Sequence, residues 1–185
     1  MAFKRWLFAL GASVLFLMPV AGVAQTMEST PIPLPGKPDF SAMQFMVGTW
    51  SCRTTSSRRP APYISTSTYT MSPDGWWLNE TTVQNPVPWF NQRVTSYDKF
   101  TYDSDTKRWI DMTYGDMGTY GLTTSTGWNG NAMVWHDANF APGADVKSAS
   151  DLTVTKVSSG KMTGTSSFTE ASGRTINVVS TCTKS

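Results

Sequence analysis

Histidine occurs once in the 185 residues, cysteine twice, and only 15% of the side chains are charged. A metal centre built on nitrogen and sulfur needs three or four ligands acting together, and His136 with two distant cysteines does not supply them. Serine-hydrolase chemistry needs a base beside its nucleophile and an oxyanion hole; no Gly-x-Ser-x-Gly elbow occurs, and one histidine would have to serve alone. No cofactor-binding pattern stands out, and no residue is assigned a catalytic role. Nucleic-acid binding needs a surplus of basic side chains to displace counterions from phosphates. The formal charge is +2, and Lys4 and Arg5, both in the first 24 residues, account for it. Beyond that point the basic pair Arg58-Arg59 reads as a solvated turn.

Long hydrophobic runs are confined to the N-terminus. Lys4 and Arg5 precede an apolar stretch from Leu7 to Met18, Pro19 breaks it, and Gly22-Val23-Ala24 has the small-x-small pattern of a signal-peptidase site. The run is too short for a resting transmembrane helix. Residues 1–24 are therefore expected to be a signal peptide, the mature chain to be periplasmic or secreted, and no membrane insertion to persist after cleavage. Residues 25–38 hold Pro31, Pro33, Pro35 and Pro38, which prevent helix and central strand alike and predict an extended tether. Residues 39–185 are left for one folded domain. Asp39 can cap a short helix whose apolar positions Phe40, Met43 and Val47 share a face, with Gly48 ending it.

Helical patterning then stops. Threonine, present 26 times, favours the pleated half-buried surface of a sheet. Ten short strands are expected: 49–56, 63–71, 76–84, 92–102, 108–114, 119–126, 131–137, 147–157, 161–170 and 174–184. Turn chemistry separates them, notably Pro73-Asp74-Gly75, Asp103-Ser104-Asp105, Asn129-Gly130, Ser159-Gly160 and Ser172-Gly173. Such a rhythm, with no crossover helices, predicts an antiparallel meander.

A two-layer sandwich fits the same rhythm, but the ends of the chain favour a closed barrel. Cys52 on the first strand and Cys182 on the last are an even pair in an exported chain, which predicts a disulfide. They can meet only if the first and last strands meet. If Cys52 lies opposite Cys182, antiparallel register sets Trp50 opposite Lys184, whose stem and ammonium can then cover the indole.

These residues resemble the lipocalin-like, or calycin, superfamily, whose hallmark is a short helical turn feeding Gly-x-Trp on the first strand, with a basic residue of the last strand packed over the tryptophan. Here the motif is Gly48-Thr49-Trp50 with Lys184. The stretch from Tyr102 to Trp109 also looks like the mid-barrel hairpin of bacterial lipocalin-like domains. The resemblance implies an all-β barrel of about ten strands, nitrobindin-like or fatty-acid-binding-protein-like, with a short helix before the first strand and often an apolar molecule inside. Nitrobindin-like relatives hold haem on a histidine near the C-terminus; this chain's His136 lies on an earlier strand, so no haem and no metal are assigned.

Seven tryptophans follow the leader, and an eight-to-ten-stranded barrel is about the size that leaves room for one small molecule. Trp77, Met112, Tyr114, Tyr120 and Trp135 are the candidate ligand-binding residues, with Arg93 as an anchor for a ligand carboxylate at the rim. Tyr69 and Met133 also fall on positions suited to a cavity wall, and Trp89-Phe90 to a lid. Among the acids, Asp98, Asp103, Asp105 and Asp111 are noted; Asp103 and Asp105 suit turn capping better than a calcium loop. Glu80 shares a face with Trp76 and Leu78. Turned inward it would be a desolvated acid or base; turned outward, the simpler arrangement, it is a solvated carboxylate. The expectation is a binding protein for a small apolar or amphipathic molecule. The alternatives are a barrel enzyme (isomerase, cyclase or hydrolase) using a pocket carboxylate, and a filled barrel acting as an interaction module.

Overall fold

A 3-10 helix over Ser41–Met46 leads into twelve strands: β1 Gly48–Ser56, β2 Tyr63–Met71, β3 Leu78–Gln84, β4 Val94–Asp103, β5 Arg108–Gly115, β6 Tyr120–Ser125, β7 Trp128–Asn129, β8 Ala132–Trp135, β9 Val146–Ala149, β10 Leu152–Ser158, β11 Lys161–Glu170 and β12 Thr175–Lys184. The computed structural model describes residues 35–136, the backbone of 146–149, and residues 151–185. The expected signal peptide, most of the tether and nearly all of the 138–146 loop lie outside the described residues.

Every ladder is antiparallel. The path runs β6-β5-β4-β3-β2-β1-β12-β11-β10-β8-β7, with β9 pairing β11 beside it. The sheet is a curled meander forming an open half-barrel, not the closed ten-stranded barrel that was expected. The first and last strands do meet, over seven register pairs from Trp50–Lys184 to Ser56–Val178. The gap falls instead between β6 and β8, where the described residues share one bridge, Thr124–His136. The cause is strand length. β8 has four residues, two of them taken by β7 on the edge away from β10, and among the described residues only His136, past the end of β8, bridges β6.

The expected helix is also corrected: six residues in 3-10 geometry replace an α-helical turn. The N-cap is Phe40, without a side-chain cap hydrogen bond, rather than the expected Asp39, which precedes it and accepts from the Ser41 N–H at 2.9 Å. So short a segment cannot recover the cost of an α-helical nucleus, and three residues per turn align Phe40, Met43 and Met46 on one face. All three are buried, and Val47, expected on that face, packs beside the core.

Gly-x-Trp is built as the residues suggested. Trp50 is fully buried, donates from Nε1 to the Met46 carbonyl at 2.6 Å, and meets the Phe45 ring edge-on. Lys184 Nζ lies 5.4 Å from the indole centroid and donates to the Phe45 carbonyl at 2.9 Å. Gly48 sits at φ 124°, and a Cβ there would come within 2.9 Å of Lys184 Cε. The torsion therefore favours glycine, and a side chain there would also have to displace the end of Lys184. Cys52 and Cys182, direct register partners, form the disulfide.

Two further expectations are corrected. Trp76 and Trp77 precede β3 rather than lie on it. Ser72 hydrogen-bonds Asp74, which accepts from the Trp76 N–H, while Ser72 Oγ accepts from the Trp77 N–H, holding both tryptophans in the turn. The strand expected over 147–157 is two strands, β9 and β10, both pairing β11, with β10 also pairing β8.

Candidate functional site

Strand alternation puts two kinds of side chain on the concave face of the sheet. Near the 3-10 helix they are large: Met43, Met46, Trp50, Phe100, Met133 and Trp135 form most of the packed floor. Farther along β1, β2, β11 and β12 they are small and mostly hydroxylated: Thr54, Ser65, Ser67, Gly164, Ser166 and Ser180. Thr54 and Ser180 satisfy each other at 2.7 Å across the β1–β12 ladder. Small side chains cannot fill the concavity, and a cavity of about 400 Å³ remains. This volume lies within the range of small-molecule sites. A second cavity of about 250 Å³, under the Trp89-Phe90 loop, shares Tyr63, Gln84 and Val94 with the first. The loop is a tight turn in which Val87 and Phe90 exchange both backbone hydrogen bonds at 2.8 Å.

One wall of the large cavity is acidic. Ladder register aligns Tyr69 with Glu80, Glu80 with Asp98, and Phe100 with Asp111, so three carboxylates and one phenol from β2 to β5 face the same space. Glu80 accepts from Thr82 Oγ1 at 2.8 Å, and Thr82 is tied to Ser67 at 2.6 Å. Asp98 accepts from Thr113 Oγ1 at 2.5 Å, and Asp111 Oδ2 from Thr123 Oγ1 at 3.3 Å. The other oxygen, Asp111 Oδ1, is buried and has no partner. Trp128 Nε1, on another wall, is likewise buried and unpartnered. Among the described residues no lysine, arginine or histidine lines the cavity.

This surrounding holds the acids toward their neutral forms. Burial pushes the Glu80 carboxyl above its ordinary range, against the hydrogen bonds from Thr82, Tyr69 and Ser67. Burial and then the Glu80 charge raise Asp98 to about 7. Burial, then the charges of Asp98 and Glu80, raise Asp111 to about 8. The Tyr69 phenol is pushed well up by burial and by Glu80. Near neutral pH such a group can give or take a proton or bind a positive charge.

Of the expected ligand-binding residues, Trp135 lines this cavity, as do Tyr69 and Met133. Trp77, Arg93, Met112, Tyr114 and Tyr120 do not. Tyr114 and Tyr120 are on the convex face, 46% and 54% exposed, and Tyr114 stacks on Tyr97 with ring centroids 5.1 Å apart. Met112 pairs with Leu122 and Lys99 on the strands flanking β5, a position whose neighbours 111 and 113 face inward. Arg93 is exposed ahead of β4. Glu80, for which the outward arrangement was the simpler, is turned inward. His136 is at the β6 bridge, its Nδ1 2.9 Å from Asp151 Oδ2. Asp103 caps its turn, accepting from the Asp105 N–H at 2.9 Å and from Thr106 Oγ1 at 2.7 Å. Among the described residues no group of three histidine, cysteine or acidic side chains is arranged to hold a metal ion.

The convergence of Glu80, Asp98 and Asp111 was not read from the sequence. The signal for part of it was present: the turn between Asp103 and Arg108 sets the β4–β5 register, which puts Asp111 opposite Phe100. No protein-family model and no curated protein matches the chain. The curled antiparallel sheet is compatible with a calycin-like barrel.

Proposed function

We propose that this protein is an exported binder of a small amphipathic molecule, held in the cavity between the Met43–Trp135 floor and the carboxylate wall. The observation that carries this reading is the 400 Å³ cavity itself, apolar at one end and bearing unsatisfied polar atoms at its walls. Binding sites of this kind pair a mostly apolar lining with a few oriented polar groups. A space of this size weighs against a filled barrel serving only as an interaction module. The Cys52–Cys182 disulfide fits an oxidising compartment. Among the described residues no helix is long and apolar enough to cross a membrane. The fold fits the lipocalin-like resemblance, in which a sheet curled around one ligand is the common theme.

Native mass spectrometry of protein purified from its source tests the reading. Retention of a stoichiometric small molecule that Trp135→Ala or Met133→Ala releases supports it. A homogeneous apo mass, together with no tryptophan-fluorescence change across a broad panel of amphipathic compounds, overturns it.

One observation favours a second reading. Asp98 and Asp111, raised to about 7 and about 8, are suited to proton transfer at neutral pH. A barrel-type isomerase, cyclase or hydrolase would use them as an acid–base pair. Turnover of the retained molecule by wild-type protein and not by Asp98→Asn would move the assignment to an enzyme.

A further inference from the structure

The chemistry of the cavity wall narrows the occupant. Among the described residues three carboxylates face this space and no basic side chain does. A ligand carboxylate or phosphate would find no counter-charge among them. A neutral apolar molecule would leave Asp111 Oδ1 without a partner, and that side chain is only 7% exposed. A buried acceptor left unpaired is costly, so it is a place where a donor gains most. The groups facing Asp111 across the neighbouring ladders are a hydroxyl and two acids: Thr123 from β6, and Asp98 from β4 with Glu80 beyond it on β3. Tyr69 from β2 completes the wall, and Met133 and Trp135 from β8 supply apolar lining to the same cavity.

We propose that the cavity selects an organic ammonium: a primary amine on an apolar body, its head donating to Asp111 Oδ1 and its neighbouring carboxylates, its tail on the Met133–Trp135 side. This rests on the binding reading above and names its ligand class. An ammonium carries three donors and no acceptor, which suits a wall of carboxylate oxygens, and its charge replaces the protons that burial holds on these acids. Binding therefore releases protons, and amine affinity rises with pH through the range where Asp98 and Asp111 ionise. An alkylamine, like lysine, stays charged throughout that range.

Isothermal titration of the disulfide-intact chain with octylamine, octanol and octanoate separates the possibilities, since the three differ only in the head group. At pH 8 octylamine is expected to bind at least about tenfold more tightly than octanol, the scale of a charge-assisted hydrogen bond, and octanoate more weakly than either. Between pH 8 and pH 6 the octylamine affinity is expected to fall by about tenfold or more while that of octanol stays level. In Asp111→Asn most of the amine's advantage is expected to disappear with octanol binding retained, which also reports that the variant is folded. Octanol or octanoate binding as well as octylamine to the wild-type protein overturns the ammonium assignment and leaves the cavity reading standing. An amine advantage undiminished in a folded Asp111→Asn overturns it too. Failure of all three to bind overturns both.

Discussion

Asp111→Asn also makes a sharp prediction about folding. The side chain is buried on β5 with one oxygen unpartnered, and its folded-state pKa is raised to about 8. A carboxyl raised in this way takes up a proton on folding. Its contribution is fully present below its unfolded pKa of about 4, and it is lost as pH rises through the folded value. Each such proton changes the unfolding free energy by about 1.4 kcal/mol per pH unit within that window. Wild-type stability is therefore expected to fall between pH 5 and pH 8, with Asp98 adding to the slope up to about pH 7. The asparagine variant lacks one titrating group, and its profile is expected to be shallower by up to about 1.4 kcal/mol per pH unit. The two proteins are near parity at pH 4–5, and the variant is more stable by a few kcal/mol at pH 8. Groups held low, such as Glu170 by its Arg174 hydrogen bonds and Asp103 by Thr106, act in the opposite sense, but only below their ordinary pKa values. Urea unfolding followed by tryptophan fluorescence at pH 5, 6.5 and 8, without reductant, measures the difference. Parallel profiles, or a wild-type protein more stable at pH 8 than at pH 5, would refute the reasoning.

Reducing the Cys52–Cys182 disulfide, which spans a sequence separation of 130, is expected to cost up to about 4–5 kcal/mol in the same unfolding assay. Thiol labelling of the unfolded, unreduced protein should find no free cysteine. Trp50→Ala, emptying a fully buried position, is expected to cost about 3–5 kcal/mol. Trp89→Ala, in the loop after Val87, should cost far less; equal losses would misplace the packed floor. Gly48→Ala puts a methyl group 2.9 Å from Lys184 Cε at a left-handed torsion, and a loss of about 1–3 kcal/mol by urea unfolding is expected.

The frame of the fold was legible in the sequence wherever a pairing was pinned by chemistry. Cys52 and Cys182 fix one register pair, and Trp50–Lys184 then follows by counting. Turn residues located most strand ends. The site was harder to read because β5 is ambiguous in its alternation. Ile110, Met112 and Tyr114 make the more apolar face, and apolar faces normally turn inward. Here Trp109, Asp111 and Thr113 turn inward instead, leaving Tyr114 on the outside. A period of two allows only these two choices, and choosing the apolar one moves every candidate on the strand to the wrong face. A locally inverted pattern of this kind, with an acid buried at the expense of hydrophobic side chains, is where function is expected to override stability. The open edge at β6–β8 was invisible for another reason: Asn129-Gly130 signals a hairpin but not that its strands would be two and four residues long.

Because β1 and β12 are joined by a covalent bond, the backbone from residue 52 to residue 182 is a ring in which every strand from β2 to β11 is enclosed. A single protease cut within that ring cannot release a fragment. The product keeps the mass of the intact chain plus one water until it is reduced, and only then separates into two pieces that report the cut. Surface loops such as the Arg58–Pro62 turn can thus be mapped on a protein that remains in one piece. Its cavity can be assayed after each cut, before reduction.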